Sequence, residues 1–382
     1  MSPFASTLSI DSATTDSPAI ADKRNKLRAW QRGRLARLRA LKRRARITPL
    51  HRLTFPRLPG MRVYLKDERA HPSGSLKHRL AASLFEHALC HGWLAPGAPV
   101  IEASSGSTAV SEAWFARRLG LPFIAVIPRG TARAKLDAIT AEGGQVHVID
   151  DPTALSSTAA ALANELGGHF MDQFRFASEA SDWRGDDNLA AGSLRQLDAL
   201  DEPAPQAVIL GAGTGGTAAT FARHLRYRGL ESEIRGVDPQ CSVYRSLWAG
   251  LPTPISGASP SGPNPIEGIG RPCPAQAFLP HAFDTMQTIE DAASLAAARW
   301  LEKHFALCAG PSTGTALIGA LRHAECLYER GENAALLALI CDDGQRYRDT
   351  LYNDNWLDRN YPAHHQYANE LGRITGIGGV CQ

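Results

Sequence analysis

The chain has 382 residues, of which 44% are hydrophobic and 21% are charged, and its formal net charge is +3. These values are ordinary for a globular protein that is large enough for two domains. No apolar run approaches the roughly 20 residues that span a bilayer, and the first residues lack the basic-then-apolar order of a secretory signal.

The first 46 residues differ in charge from the rest. Residues 1–22 hold three acids and no Lys or Arg, and their Ser, Thr, Ala and Asp content predicts disorder. Residues 23–46 hold 12 Lys and Arg and no acid, whereas residues 47–382 have a net charge of −6. The apolar residues of this basic helical arm lie roughly on one face: Leu27, Trp30, Leu35, Leu38 and Leu41. Nucleic-acid binding, membrane binding and organelle targeting are all open to such an arm, but packing of its apolar face on the body is the simpler interpretation.

Short apolar runs alternate with helical patterns over residues 47–350. Examples are PVIEAS before TAVSEAWFARRLG and QAVILGAG before GGTAATFARHLRYRG. This alternation predicts an α/β fold in which helices cover both faces of parallel sheets. Residues 250–280 are dense in Pro and Gly and predict a long irregular segment, of the kind that is usually a functional loop or linker. Residues 351–382 form a C-terminal tail that is too short for a regulatory domain.

A single lysine stands at the first strand-to-helix turn of the body. In HPSGSLKHR, residues 71–79, Lys77 follows a strand-like run and precedes a helical pattern. Most lysines are surface residues, and a solvated Lys77 is the plain interpretation. However, a cation at a helix N-terminus opposes the helix dipole, and reactive groups are common at such turns.

A glycine-rich turn, GAGTGGT at residues 211–217, follows the apolar run QAVIL and opens a helix. Its backbone N–H groups could hold a phosphate. Gly211, Gly213 and Gly216 also satisfy G-x-G-x-x-G, and Asp238 ends the next strand, so an NAD-dependent dehydrogenase is a rival interpretation. That interpretation leaves Lys77 unexplained.

Pyridoxal 5'-phosphate would explain both features, because it needs a phosphate cradle and a lysine that bonds its aldehyde. Two further turns rich in hydroxyl groups could contact the cofactor or a substrate carboxylate. They are EASSGSTA at residues 102–109 and GPSTGTA at residues 310–316. Each turn alone could be ordinary helix capping.

The order SGSLKHR, SSGST, GAGTGGT, EGIG and STGTA resembles the fold-type II pyridoxal-phosphate enzymes, the family of cysteine synthases and cystathionine β-synthases. The resemblance covers roughly residues 46–350. It implies a tryptophan-synthase-β-like fold of two open parallel-sheet α/β domains with the cofactor in the cleft between them. The smaller domain, roughly residues 85–180, is then inserted in the larger one within residues 47–350.

The resemblance also implies roles for individual residues. Lys77 matches the lysine that bonds the cofactor and acts as general base. The residues that match cofactor contacts are Ser107, Gly213, Thr214, Gly215, Gly216, Thr217 and Thr313, the last at the pyridine nitrogen. The residues that match substrate contacts are Ser104, Ser105, Gly106, Thr108, Gln173, Gly268 and Gly270. No metal ligand is implied.

One position departs from the synthase pattern. Synthases usually carry Asn in SGNTG, where it contacts the cofactor ring oxygen, and this chain has Ser107 in SGSTA. With the motifs IEGIGRP and CDDGQRY, the loop looks closer to bacterial L-cysteine desulfhydrases. This implies α,β-elimination of L-cysteine to sulfide, pyruvate and ammonia, with cysteine synthesis from O-acetylserine and sulfide as the alternative. A degenerate relative that binds a partner through its basic arm is a third, non-enzymatic hypothesis.

The remaining expectations concern location and partners. Seven cysteines form no C-x-x-C pair and no zinc-like spacing, which predicts reduced thiols in the cytoplasm. The substrate is a small amino acid, L-cysteine or an activated serine, and neither nucleic acid nor a membrane is expected as a partner. Relatives suggest a homodimer.

Overall fold

The computed structural model describes residues 18–44, 47–253 and 264–378. The strands of this part are β1 (Leu50–Leu53), β2 (Arg62–Asp67), β3 (Val100–Ala103), β4 (Phe123–Pro128), β5 (Gln145–Ile149), β6 (His169–Phe170), β7 (Ala207–Gly211), β8 (Glu233–Pro239), β9 (Thr285–Ile289) and β10 (Ala335–Ile340). The helices of this part are α1 (Pro18–Arg44), α2 (Lys77–Cys90), α3 (Ser107–Leu119), α4 (Arg133–Ala141), α5 (Leu155–Glu165), α6 (Gln173–Ala180), α7 (Leu189–Asp198), α8 (Gly216–Tyr227), α9 (Tyr244–Trp248), α10 (Asp291–Phe305), α11 (Pro311–Glu329), α12 (Asp354–Asn360) and α13 (His364–Thr375).

The strands form two sheets. The larger has the order β1-β2-β10-β7-β8-β9, and the smaller has the order β5-β4-β3-β6. Every pairing is parallel except that of β1 with β2. The predicted alternation of strands and helices is therefore confirmed, whereas the domain boundaries near residues 85 and 180 stay a prediction.

Central strand β10 shows why the larger sheet is covered on both faces. Its sequence ALLALI is buried at every position. Successive side chains point to opposite faces of a strand, so Leu336 and Ile340 pack in one core while Leu337 and Leu339 pack in another. Helices α10, α11 and α13 contribute to the first core, and α7 and α8 contribute to the second. This double burial explains a continuous apolar run without alternation.

The C-terminal residues are part of the body rather than a loose tail. Helix α13 places Leu371 and Ile374 in the same core as α10 and α11. Residues 379–382 lie outside the described residues, as do residues 254–263 of the predicted irregular segment.

The basic arm is a helix that packs on the body, as the simpler interpretation expects. Leu38 is fully buried against α2 and α3, and Trp30, Leu35 and Leu41 pack around it. Lys42 forms an ion pair of 2.8 Å with Glu86 of α2. Arg34 donates a hydrogen bond of 2.9 Å to the Leu119 carbonyl at the end of α3, whereas Leu27 contributes nothing to this core.

The start of α1 corrects one expectation. Helix α1 begins at Pro18, so residues 18–22 are helical rather than disordered. Proline is favoured in a first helical turn, where its missing N–H needs no partner, and Ala19 and Ala21 are strong helix formers. The predicted disorder of residues 1–17 and the end of the arm at residues 45–46 lie outside the described residues.

Two further expectations concern the described part of the chain. None of its helices combines the length and apolar character needed to cross a membrane. No disulfide joins the six cysteines that the structure describes.

Candidate active site

A cavity of about 270 Å³ lies where the strands of both sheets end. Its walls include the turns after β3, β7 and β10, together with Lys77 and Gln173 at the starts of α2 and α6. The carboxyl ends of parallel strands are the usual place for ligands in open α/β sheets. Most of the residues singled out in the sequence therefore meet in one place.

Lys77 is the first residue of α2 and faces this cavity. The turn before it is anchored to the end of β10, since the Leu76 N–H donates to the Cys341 carbonyl at 2.7 Å. Burial lowers the pKa of the Lys77 amine, while the neighbouring Cys341 and Asp342 act in the opposite direction. The helix dipole at this N-terminus also disfavours the cation. Both effects favour a neutral amine, which is the nucleophilic and basic form.

The turn from β7 into α8 is built for close backbone approach. A Cβ at position 213 would lie 2.2 Å from the Gly268 carbonyl oxygen, and Gly215 has φ +88°. The Tyr244 hydroxyl donates a hydrogen bond of 2.6 Å to the Gly213 carbonyl. The loop thus packs closely on the Gly268 backbone, and a helix N-terminus follows it, as an anion site requires.

The predicted members of this turn do not all face the cavity. Gly213, Thr214, Gly215 and Thr217 line it, but Gly216 does not. A Cβ at position 216 would lie 3.0 Å from the Ala177 carbonyl, so this glycine lets α8 pack closely on α6.

The turn from β3 into α3 is held by side chains. The Gly106 N–H donates to Ser104 Oγ at 3.2 Å, and the Thr108 hydroxyl donates to Gln173 Oε1 at 2.8 Å. Ser104, Gly106, Thr108 and Gln173 line the cavity, whereas Ser105 does not. The Thr108–Gln173 hydrogen bond joins the predicted loop to α6, so that the two residues form one wall of the cavity.

Ser107 contacts a residue that sequence reasoning missed. Its hydroxyl accepts a hydrogen bond from Arg346, which lies in the turn after β10. Asn at this position is the synthase feature that the chain lacks, and here the shorter hydroxyl is engaged by an arginine from the other sheet. The signal was present in CDDGQRY, but nothing local relates residue 346 to residue 107.

Thr313 does not line the cavity, and its predicted contact with the pyridine nitrogen stays a prediction. This residue is fully buried, and its hydroxyl accepts a hydrogen bond of 3.2 Å from the Cys341 N–H rather than facing the cavity. Its neighbour Ser312 lines the cavity instead. Successive residues on a helix point about 100° apart, so only one of these two hydroxyls can reach the site.

A buried acid completes the cavity wall. Asp342 Oδ2 accepts a hydrogen bond of 2.7 Å from the Tyr347 hydroxyl, whereas Oδ1 has no partner among the described residues. Burial raises the pKa of Asp342 to about 6, and the Tyr347 hydrogen bond opposes that shift. Its neighbour Asp343 instead accepts from the Gln345 N–H at 2.9 Å and stabilises the turn.

The EGIG segment closes the cavity opposite Lys77. Gly268 and Gly270 both have positive φ, at +92° and +74°, and both line the cavity. The Gly270 N–H donates to the Ala212 carbonyl at 2.7 Å, which joins this segment to the glycine turn. The Arg271 guanidinium lies 3.6 Å from the centre of the Phe174 ring, so it is stacked on an aromatic wall.

These residues fit pyridoxal phosphate better than a dinucleotide. The site offers an anion cradle that a single Cβ would fill, a lysine with a lowered pKa, and an unpartnered buried carboxylate oxygen. Asp238, the acid that a dinucleotide site would need, does not line the cavity; its Oδ2 accepts from the Arg245 N–H at 2.9 Å.

Comparisons with known proteins agree with this fit. Residues 41–342 match the family described as pyridoxal-phosphate dependent enzyme. The chain is 42% identical over 334 residues to an L-cysteine desulfhydrase of Mycobacterium tuberculosis, covering 86% of this chain and 90% of the relative. It is 26% identical to a cystathionine β-synthase of Saccharomyces cerevisiae, covering 82% of this chain and 62% of the relative.

Solved structures show the same fold. An O-ureido-L-serine synthase matches with a TM-score of 0.70 at 24% identity, covering 83% of this chain and 98% of that one. An O-acetylserine dependent cystathionine β-synthase from Helicobacter pylori matches with a TM-score of 0.67 at 26% identity, covering 81% and 97%. The predicted fold class, fold-type II, is confirmed.

Proposed function

The chain belongs to the family of pyridoxal-phosphate dependent enzymes, and from that premise we propose that it removes sulfide from L-cysteine by α,β-elimination, leaving pyruvate and ammonia. The observation that carries this proposal is the 42% identity to an L-cysteine desulfhydrase over 90% of that relative. Identity to the cystathionine β-synthase of S. cerevisiae is 26%. The chain is a pyridoxal-phosphate dependent lyase.

The cofactor is held by one lysine and one backbone turn. Lys77 would bond the aldehyde of pyridoxal phosphate, and the N–H groups of residues 213–217 would hold its phosphate at the start of α8. Ser312, which lines the cavity, takes the place that the resemblance gave to Thr313. When bound, pyridoxal phosphate withdraws electrons from the substrate's α-carbon, which acidifies the α-C–H bond and lets the β-substituent leave.

The substrate carboxylate is held by the turn before α3. The N-terminus of α3 would favour an anion here, and the Thr108–Gln173 hydrogen bond orients the Gln173 amide so that its NH2 group could contact the carboxylate. Holding the carboxylate in one place fixes which bond of the α-carbon is activated.

Lys77 moves the proton. Burial lowers the pKa of the Lys77 amine, which favours its basic form, and at the cavity wall this amine would accept the α-proton as general base. Asp342 and Tyr347 form the nearest proton-bearing pair on the cavity wall, joined by a hydrogen bond of 2.7 Å. We assign this pair to hold the lysine amine and the departing thiolate in position.

Cysteine synthesis from O-acetylserine and sulfide is the alternative, since it uses the same lysine and cradle. Elimination is favoured because the position of the synthase Asn is occupied by Ser107, whose hydroxyl is engaged by Arg346. We also propose a homodimer in the cytoplasm, on the expectation from relatives and from cysteine usage.

The test is a side-by-side assay of the purified enzyme. One arm holds L-cysteine alone, with sulfide, pyruvate and ammonia measured, and the other holds O-acetylserine plus sulfide, with cysteine measured. We expect a higher kcat/KM in the first arm. Efficient cysteine formation in the second arm with no pyruvate in the first would contradict the proposal.

A further inference from the structure

A cluster of potential metal ligands lies away from the cavity. His87 and His91 project from the C-terminal end of α2, and Glu179 lies next to the last residue of α6. Their ligand atoms all lie within 4.8 Å of one another. Histidines four residues apart share one face of a helix, which is a common spacing for two metal ligands.

His87 carries an unsatisfied nitrogen. Its side chain is only 10% exposed, and its Nε2 has no hydrogen-bond partner among the described residues. The Glu179 Oε1 atom is 3.9 Å from Nε2, which is too far for a hydrogen bond. A buried polar atom without a partner is rare and costly, so this nitrogen is aimed at something that the protein alone does not supply.

His91 is already oriented for binding. Its Nδ1 lies 2.9 Å from the His87 backbone carbonyl oxygen. A carbonyl can only accept, so Nδ1 carries the proton and the lone pair is on Nε2. Metal-binding histidines commonly donate their second ring nitrogen to a carbonyl in this way. His91 and Glu179 are exposed, so an ion can reach the cluster from solvent.

The local electrostatics favour a cation. The carbonyl ends of α2 and α6 and the Glu179 carboxylate add negative potential at the same place.

We propose that His87, His91 and Glu179 bind a divalent transition-metal ion of the zinc class, with a fourth position open to water. Two imidazoles and one carboxylate suit zinc, and three protein ligands with an open position are a common zinc arrangement. Small movements of the exposed Glu179 and His91 side chains bring the three ligands to coordinating distance.

The ion would join two helices that both start at the active site. Helix α2 begins with Lys77 and α6 begins with Gln173, and both residues line the cavity. The cluster lies about two to four helical turns further along these helices. Metal binding would therefore stabilise the relative placement of the cofactor lysine and the substrate-side amide.

The chain offers a matched control in a second cluster, Asp358, His364 and His365. There, one oxygen of Asp358 is shared by the two histidines, at 2.8 and 3.0 Å. These nitrogens already have a partner, so we expect no metal binding at this cluster.

The experiment uses the untagged full-length holoenzyme, stripped with a chelator and kept free of thiols. Zn²⁺ is titrated by calorimetry, and Co²⁺ by its visible absorption, with cofactor content measured in each sample. We expect one ion per chain, and a Kd at least about tenfold higher in His87→Gln and in Glu179→Gln. His365→Gln should bind as the wild type does.

Three results would overturn the proposal. The first is that the wild type binds no ion, and the second is that binding is lost only in His365→Gln. The third is that all variants bind equally, which is expected if the cofactor holds the ion. Glu179 is exposed, so its variant reports on the site even if His87→Gln folds poorly. Zinc should also raise the unfolding temperature of the wild type but not that of Glu179→Gln.

Discussion

The two turns that meet across the cavity are held in different ways. The turn of residues 211–217 is fixed by backbone, since a Cβ at Gly213 would strike the Gly268 carbonyl at 2.2 Å. The turn of residues 104–108 is fixed by side chains, through Thr108 with Gln173 and Ser107 with Arg346. A backbone cradle tolerates few changes, so we expect the turn of residues 211–217 to accept few substitutions. Side-chain contacts can be exchanged one at a time, and they are where members of the family can differ in reaction.

The largest effect should come from the residue that serves both turns. Lys77→Ala removes the amine that we propose bonds the cofactor and takes the α-proton, so kcat should fall by about 10³-fold or more. The measurement is pyruvate release, with cofactor retained after dialysis as a second readout. Lys77→Arg is the matched control, because it keeps a cation but not the reactive amine, and it should be equally inactive. Activity within tenfold of wild type in either variant would remove Lys77 from the mechanism.

The next test adds one methyl group to each turn and compares the effects on cofactor binding and on substrate binding. Gly213→Ala places a Cβ against the Gly268 carbonyl, whereas a Cβ at Gly106 meets nothing within 4 Å. We expect Gly213→Ala to raise the Kd for the cofactor by about 100-fold, in line with a few kcal/mol of overpacking. Gly106→Ala should keep the cofactor and raise the KM for the amino acid. Cofactor loss in Gly106→Ala alone would show that the turn of residues 104–108, and not that of residues 211–217, holds the cofactor.

A smaller loss should follow from the Thr108 hydroxyl. Thr108→Val keeps the shape but leaves the buried Gln173 amide oxygen without its 2.8 Å donor. One unsatisfied buried group costs about 1–3 kcal/mol, so KM should rise about tenfold with a smaller change in kcat. Steady-state kinetics with L-cysteine separate the two constants. A fall in kcat at constant KM would show that Thr108 acts on chemistry rather than binding.

The Ser107–Arg346 contact should affect which product forms more than it affects kcat. Ser107→Asn restores the synthase residue, and Arg346→Met removes the donor that engages Ser107. The bond is exposed, so we expect each variant to shift the ratio of replacement to elimination by about two- to tenfold. With O-acetylserine plus sulfide as substrates, the amount of cysteine formed relative to pyruvate gives this ratio. If the double variant equals the product of the single effects, the two residues are not coupled and this link carries no specificity.

The last prediction concerns stability rather than catalysis, at a buried acid pair behind the substrate turn. Glu102 accepts from the Ala103 N–H at 2.7 Å and from the Gln173 N–H at 3.2 Å. Burial raises the pKa of Glu102 to about 7, and burial and Glu102 raise that of Glu112. The folded chain thus binds these protons more tightly than the unfolded chain does. The stabilisation that this gives is complete below about pH 4.5 and is lost as the pH rises through 7.

Glu112→Gln should weaken this pH dependence, because the amide cannot ionise. Relative to wild type, the variant should gain on the order of 1–3 kcal/mol of unfolding free energy between pH 6 and 9. Denaturant unfolding at several pH values measures the difference, with the exposed Glu179→Gln as control. If the unfolding free energies of wild type and Glu112→Gln change in parallel with pH, the acid pair does not cause the pH dependence.

The comparison also explains what the sequence could predict. Gly215 has a positive φ, which is a local requirement, so the glycine-rich turn and the position of Lys77 before a helix could be predicted from the residues themselves. The need for glycine at position 213 arises from the distant Gly268 carbonyl. The choice between Ser312 and Thr313 depends on the rotation of α11 against β10, which adjacent residues do not reveal. Arg346 is 239 residues from Ser107, and only the folded arrangement of the two sheets brings them together. The orphaned His87 nitrogen likewise follows from the packing of α2 on α6.

The proposed reaction is α,β-elimination of L-cysteine. It is tested most directly by the ratio of sulfide to pyruvate released from L-cysteine alone. Elimination yields one pyruvate for each sulfide, so the account predicts a ratio of one that is constant through the reaction. Sulfide released without matching pyruvate would mean that a second cysteine thiol had replaced the first, and that result would contradict the account.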